Sequence, residues 1–135
     1  MQTKPVLSLA DVKKIVAAAE AEAHANKWAV TIAVADDGGH LLWLQRLDGA
    51  APVSSHIAPA KARTAAMGTR ETKIYEDIIN NGRYSFLSAP TIEGMLEGGV
   101  PIMVNGQCVG AVGVSGVKSS EDAQIAKADI AALGL

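Results

Sequence analysis

The fold of this chain is decided by the segment GGVPIMVNGQCVGAVGVSG, residues 98–116. Its centre, Asn105-Gly106, is the dipeptide that best accepts the two positive φ angles of a type I′ turn. Apolar β-forming residues lie on both sides, so the segment is predicted to form a tight β-hairpin. The second strand carries three further glycines, and glycines inside a strand indicate that another backbone or a ligand comes close.

A second hairpin is predicted in the first half of the chain. The alternation of Val30, Ile32 and Val34 predicts a strand from Trp28 to Ala35. The turn residues Asp36-Asp37-Gly38-Gly39 follow, and His40 to Leu47 returns as the partner strand. On this interpretation the two aspartates and His40 are ordinary residues of a turn.

Helical patterns separate and flank the two hairpins. The apolar spacing predicts helices over residues 9–26, from Ser54 or Ser55 to Arg70, over a short stretch 71–79, and from Ser119 onward. Consecutive hairpins favour an antiparallel sheet, because parallel strands need long crossover connections. The sequence therefore predicts an α+β domain whose sheet has about five strands, four of them clear and the fifth within residues 83–97.

Length, charge and cysteine content exclude several classes of protein. The 135 residues suit a single domain, 1–135. The net charge is −2 and no basic run occurs, so no nucleic-acid partner is expected. No apolar run reaches the roughly 18 residues that span a bilayer. The single cysteine, Cys108, cannot form an internal disulfide, which favours a reducing, cytoplasmic location.

The residues that carry chemistry form no known catalytic or zinc motif. The glycines of the second hairpin have the wrong spacing for a dinucleotide site, and no Walker motif occurs. The three histidines His24, His40 and His56 form no H-x-x-x-H pair, so no metal site built from protein ligands alone is predicted. A haem iron needs only one axial ligand, so haem is not excluded.

Two features could hold an anionic ligand. Lys61 and Arg63 lie on the second predicted helix, and the backbone N–H groups of Gly98 and Gly99 could stabilise a negative charge. No convincing general base accompanies them. No catalytic residue is therefore predicted, and a non-catalytic role is favoured over an enzyme.

Several motifs together resemble one protein family over nearly the whole chain. The chain resembles the GlcG/HbpS family of haem-binding proteins, which also includes the C-terminal domain of PduO-type cobalamin adenosyltransferases. Within the family the similarity is greatest to members encoded in bacterial glycolate-utilisation operons. The motifs that carry the resemblance are Ala33–Leu42, Lys61–Ala66, Gly98–Pro101, Val109–Gly116 and Glu121–Ala123.

The resemblance implies a fold, a ligand and an assembly. The implied fold is profilin-like, with an antiparallel sheet flanked by helices. The implied function is that of a haem- or tetrapyrrole-binding accessory protein associated with glycolate metabolism, with His24, His56 and Thr64 as candidate haem-binding residues. Family members commonly form homo-oligomers, which agrees with the unusually small residues on the outer side of the first helix (Ala17, Ala18 and Ala21).

Two alternative functions remain open from the sequence. One is an enzyme acting on a small hydroxy- or oxo-acid, whose carboxylate Lys61 or Arg63 would hold near Gly98 and Gly99. The other is a non-catalytic partner in an assembly, whose oligomer surface is the function.

Overall fold

The structure is a computed structural model that describes all 135 residues. It contains four α-helices, four β-strands and one short 3₁₀ helix, which confirms the α+β prediction. The helices are α1 (Leu9–Ala25), α2 (Ser54–Gly68), α3 (Thr72–Asn80) and α4 (Ser119–Ala131). The strands are β1 (Thr31–Asp36), β2 (Leu41–Arg46), β3 (Gly99–Val104) and β4 (Gln107–Ser115), and the 3₁₀ helix is Tyr84–Ser88.

The two predicted hairpins form one antiparallel sheet. Its strand order is β2-β1-β4-β3, so the hairpins meet where β1 pairs with β4. At the tip of the second hairpin, φ is 49° at Asn105 and 77° at Gly106. Both values are positive, as a type I′ turn requires.

The prediction of a fifth strand is wrong, because residues 83–97 do not join the sheet. Their backbone is held instead by two threonine hydroxyls from the neighbouring helices. Thr64 Oγ1 donates to the carbonyl of Glu93 and accepts from its N–H, and Thr72 Oγ1 donates to the carbonyl of Leu96. Side chain to backbone bonds thus replace the ladder bonds that a strand would make.

The two faces of the sheet are packed differently. Helices α1 and α4 cover one face with a core of aliphatic side chains, among them Ile15, Ile32 and Ile125. On the other face α2 lies over the alanines of β1 and β4. Small residues on both surfaces let α2 approach the backbone of the sheet closely.

Gly113 on β4 makes this close approach possible. A Cβ at this position would overlap the carbonyl oxygen of Ala58 and lie 2.5 Å from the amide nitrogen of Ala62. Since both atoms belong to the backbone of α2, no side-chain rotation could relieve the contact. The prediction that the glycine strand marks a close backbone approach is confirmed, and the approaching backbone is a helix.

The outer side of α1 is open in the single chain. Ala17 and Ala21 are exposed and Ala18 is half-buried. The homo-oligomer inferred in part from this side therefore stays a prediction. None of the four α-helices combines the length and the apolar character that a membrane-spanning helix needs.

Asp129 on α4 is an unusual member of the core. Its side chain is fully buried, and its Oδ2 atom has no hydrogen-bond partner. Burial raises the pKa of the Asp129 carboxyl well above its ordinary value of 3.8, since the charged form loses its hydration. The folded chain consequently keeps a proton at pH values where the unfolded chain releases it.

We expect Asp129→Asn to remove a pH-dependent loss of stability. A folded-state pKa above the unfolded value gives stability that is complete below about pH 4 and declines as the pH rises towards the folded pKa, by at most about 1.4 kcal/mol per pH unit. Urea unfolding at pH 4.5, 6 and 7.5 should show the free energy of unfolding of the variant increasing relative to that of the wild type as the pH rises towards the folded pKa. A difference between the two that does not change with pH would contradict the raised pKa.

Candidate functional site

An open groove of about 510 Å³ lies between the β1–β2 turn and one side of α2. We call it the α2 groove. The turn contributes residues 38–41, the helix contributes one side of residues 55–63, and Thr91 and Glu93 close the third wall. It contains two of the three histidines of the chain, His40 and His56, together with Arg63.

The spacing on α2 explains why His56 and Arg63 share this groove. They are seven residues apart, which is close to two helical turns, so they lie on the same side of α2. Ala58 and Ala62 occupy the opposite side and are buried against the sheet. Pro59, in the second turn of α2, has no N–H to donate to the carbonyl of Ser55.

Arg63 is a cation without a counter-ion. It is exposed, and it is absent from the ion pairs of the chain, each of which joins another basic residue to a carboxylate. The Cγ atom of Arg63 lies close to Gly39, where a Cβ would approach it to 2.9 Å. The turn and the helix are thus in direct contact at the floor of the groove.

The β1–β2 turn is organised around the carboxylate of Asp36. Its Oδ1 atom accepts hydrogen bonds from the N–H groups of Gly38 and His40, both at 2.9 Å. The same oxygen lies 3.1 Å from Nδ1 of the His40 ring. His40 is thus more than the ordinary turn residue that the sequence predicts, and its spacing of four from Asp36 across a turn is the signal in the sequence that points to this contact.

The third histidine lies elsewhere. His24 is exposed near the end of α1, 3.6 Å from Glu20, in a separate groove beside Trp28 and Arg46. Arg46 lies at the end of β2 that is away from the β1–β2 turn. This groove and the α2 groove have no lining residue in common. The structure therefore separates His24 from His56.

Thr64, the third haem candidate, is fully buried. Its hydroxyl both donates to and accepts from the backbone of Glu93, and Thr64 does not line the α2 groove. Because both hydrogen-bonding functions are used, the structure assigns Thr64 to anchoring the segment that forms the third wall.

Lys61 is buried, and its ammonium group binds other residues of the protein. Its side chain is 2% exposed, and its Nζ atom donates to the carbonyl of Val114 at 2.9 Å and to Asp122 Oδ2 at 3.1 Å. Burial raises the pKa of the Asp122 carboxyl, while the Lys61 ammonium opposes that shift. The pair links α2 on one face of the sheet to α4 on the other.

Gly98 leaves room for this ion pair, and Gly99, the first residue of β3, binds Thr72. At Gly98, where φ is 130°, a Cβ would lie 2.7 Å from Lys61 Nζ and 3.0 Å from the Cβ of Asp122. The N–H of Gly99 donates to Thr72 Oγ1 at 2.8 Å, so it is not free to bind an anion. Of the four candidate anion-binding residues, only Arg63 reaches the groove.

Comparison with known proteins agrees with this architecture. Residues 7–131 match a family described as haem degrading protein HbpS-like. The chain belongs to the HbpS-like family. Over 115 residues, 85% of each chain, it is 56% identical to protein GlcG of Escherichia coli K12.

Crystal structures of two relatives share the fold of this HbpS-like chain. A double mutant of HbpS from Streptomyces reticuli is 30% identical, with a TM-score of 0.90 over 100% of this chain and 92% of the relative. A complex of PduOC with haem is 29% identical, with a TM-score of 0.87 over 95% of each chain. The predicted family membership is thereby confirmed.

Proposed function

We propose that this chain is a haem- or tetrapyrrole-binding accessory protein and that the α2 groove is its binding site. The observation that carries the proposal is the meeting of two imidazoles and one unpaired guanidinium in a single groove. The crystal structure of a relative, PduOC, in complex with haem supports the choice of ligand.

The residues of the groove suit the parts of a haem. An imidazole of His40 or His56 is a common axial ligand of haem iron. Arg63 can form a bidentate pair of charge-assisted hydrogen bonds with a propionate carboxylate. Leu41 and Pro59 offer apolar surface to the macrocycle. Bound haem would supply a redox-active iron, whose properties are set by its axial ligand and surroundings.

Haem titration tests this proposal. Adding ferric haem to the purified chain should shift and sharpen the Soret band with saturable binding. Arg63→Ala should weaken haem binding about 10- to 100-fold, because a hydrogen bond to a charged group contributes about 1.5–3 kcal/mol. Dissociation constants of the wild type and the variant measure this effect.

His24→Ala provides the matched control, since His24 lies outside the α2 groove. It should leave haem affinity unchanged. A strong loss in His24→Ala with none in Arg63→Ala would move the site to the other groove. The absence of any saturable Soret change in the wild type would refute haem binding altogether.

The proposed association with glycolate metabolism rests on family similarity. The resemblance to family members from glycolate-utilisation operons, together with 56% identity to protein GlcG, supports it. The groove itself carries no residue that selects a hydroxy-acid over other anions.

A further inference from the structure

We propose that His40 is the axial ligand of the haem iron and that Asp36 is its positioning residue. This inference rests on the proposed haem-binding function and deepens it. It starts from the contact between the two side chains, with Nδ1 of His40 3.1 Å from Oδ1 and 3.3 Å from Oδ2 of Asp36.

The contact fixes which ring nitrogen is free. An ionised carboxylate can only accept hydrogen bonds, so Nδ1 of His40 carries a proton. In the neutral imidazole the other nitrogen, Nε2, then has its lone pair available. Histidines that bind metals commonly donate their second ring N–H to a carboxylate in this way, which orients the ring and increases its basicity.

The Asp36 carboxylate is itself held in place. It accepts the N–H groups of Gly38 and His40, so it forms part of the turn rather than a flexible surface group. The His40 ring also lies directly over Gly38, where an added Cβ would be 2.8 Å from the ring atom Cε1. The glycine therefore leaves the space that the ring occupies.

His56 lacks these supports. Both imidazoles are exposed, but the ring of His56 on α2 makes no hydrogen bond or ion pair within the chain. A ligand that is ordered before binding loses less conformational entropy when it binds. His40 therefore loses less conformational entropy on binding, and its Nε2 atom is the more basic nitrogen. Both effects favour His40 over His56 as the iron ligand.

The test compares five variants by haem dissociation constant, Soret position and reduction potential. His40→Ala should lower haem affinity at least about 100-fold and change the Soret position, and added imidazole should restore the wild-type spectrum. His56→Ala should keep the wild-type spectrum. Asp36→Asn should weaken haem binding about 10- to 100-fold, as loss of a carboxylate behind a metal-binding histidine does.

The reduction potential of the bound haem distinguishes a role of Asp36 in positioning His40 from a role in folding alone. An anionic partner on the axial histidine stabilises ferric iron, so Asp36→Asn should raise the potential of the bound haem. Asparagine keeps an acceptor oxygen for the turn. Gly38→Ala should perturb the ring of His40 by contact alone and weaken haem binding with the carboxylate intact.

Asp37→Asn is the control for removing a negative charge from the same turn. Asp37 pairs with Lys4 at 2.7 Å, and the His40 ring is hydrogen-bonded to Asp36 instead, so haem affinity and potential should stay at wild-type values. If the wild type binds haem but His56→Ala, and not His40→Ala, loses the wild-type spectrum, the assignment of His40 is wrong while haem binding stands. If His40→Ala loses the spectrum but Asp36→Asn changes neither affinity nor potential, the role of Asp36 is wrong. No binding by the wild type refutes the proposed function itself.

Discussion

Replacement of Lys61 by methionine is expected to lower the free energy of unfolding by about 3–5 kcal/mol. The substitution leaves the Asp122 carboxylate, 3% exposed, without its counter-ion inside the protein. An uncompensated buried charge is far more costly than a lost surface contact. Urea unfolding, followed by far-ultraviolet circular dichroism, measures the loss.

The double variant Lys61→Met/Asp122→Leu should recover much of this stability. Removing both charges eliminates the buried unpaired group, and apolar replacements of buried ion pairs are often close to neutral. The cost of the double variant should therefore be clearly smaller than the sum of the two single costs. Strict additivity, within about 0.5 kcal/mol, would show that the two groups do not interact.

The exposed pair Lys73–Asp77 on α3 is the matched control. Its Nζ–Oδ2 distance of 2.8 Å is shorter than that of the buried pair, but both side chains are about half exposed. Breaking it with Lys73→Met should have a much smaller effect, because water already solvates both charges. A comparable loss in the two experiments would contradict the importance of burial.

Gly113→Ala is expected to destabilise the chain by about 1–3 kcal/mol or more, as overpacking in a close-packed interior does. The new Cβ would overlap the backbone of α2 at Ala58 and Ala62, so the helix must move away from the sheet. Such a movement would also disturb the α2 groove. Chemical unfolding gives the stability, and haem titration gives the effect on the site.

Gly106→Asn serves as the comparison at a glycine with free space. An added Cβ there meets no atom within 4 Å, and asparagine tolerates the positive φ of 77°. Its effect on stability should be small. If Gly113→Ala were equally mild, the close contact between α2 and β4 would not constrain the fold.

The hairpins could be predicted because their signals are local. Asn105-Gly106 specifies a turn whose backbone angles few other dipeptides accept, and the alternating apolar residues of β1 specify a strand within a few positions. Residues 83–97 could not be predicted in the same way. Their conformation depends on the hydroxyls of Thr64 and Thr72, which approach only after α2 and α3 have packed.

The candidate site could also be predicted only in part from the sequence. The helical spacing of His56 and Arg63 follows from the sequence, and the structure places both in one groove. The role of His40 could not be recognised from spacing alone, because a histidine after a turn is common on protein surfaces. Only the position of its Nδ1 atom beside Asp36, and of the turn against α2, distinguishes it.

The sequence by itself determined the α+β class, both hairpins and the approximate extent of the main helices, since these signals come from residues near one another in the chain. Motifs spread over nearly the whole chain determined the family. Only the tertiary structure decided what the candidate anion-binding lysine and glycines do. Lys61 and Gly98 suggested an anion site, yet they form and accommodate an ion pair with Asp122, 61 residues further along the chain from Lys61. The physical reason is that burial and pairing are properties of the packed chain, and they decide whether a charge meets a ligand or another part of the protein.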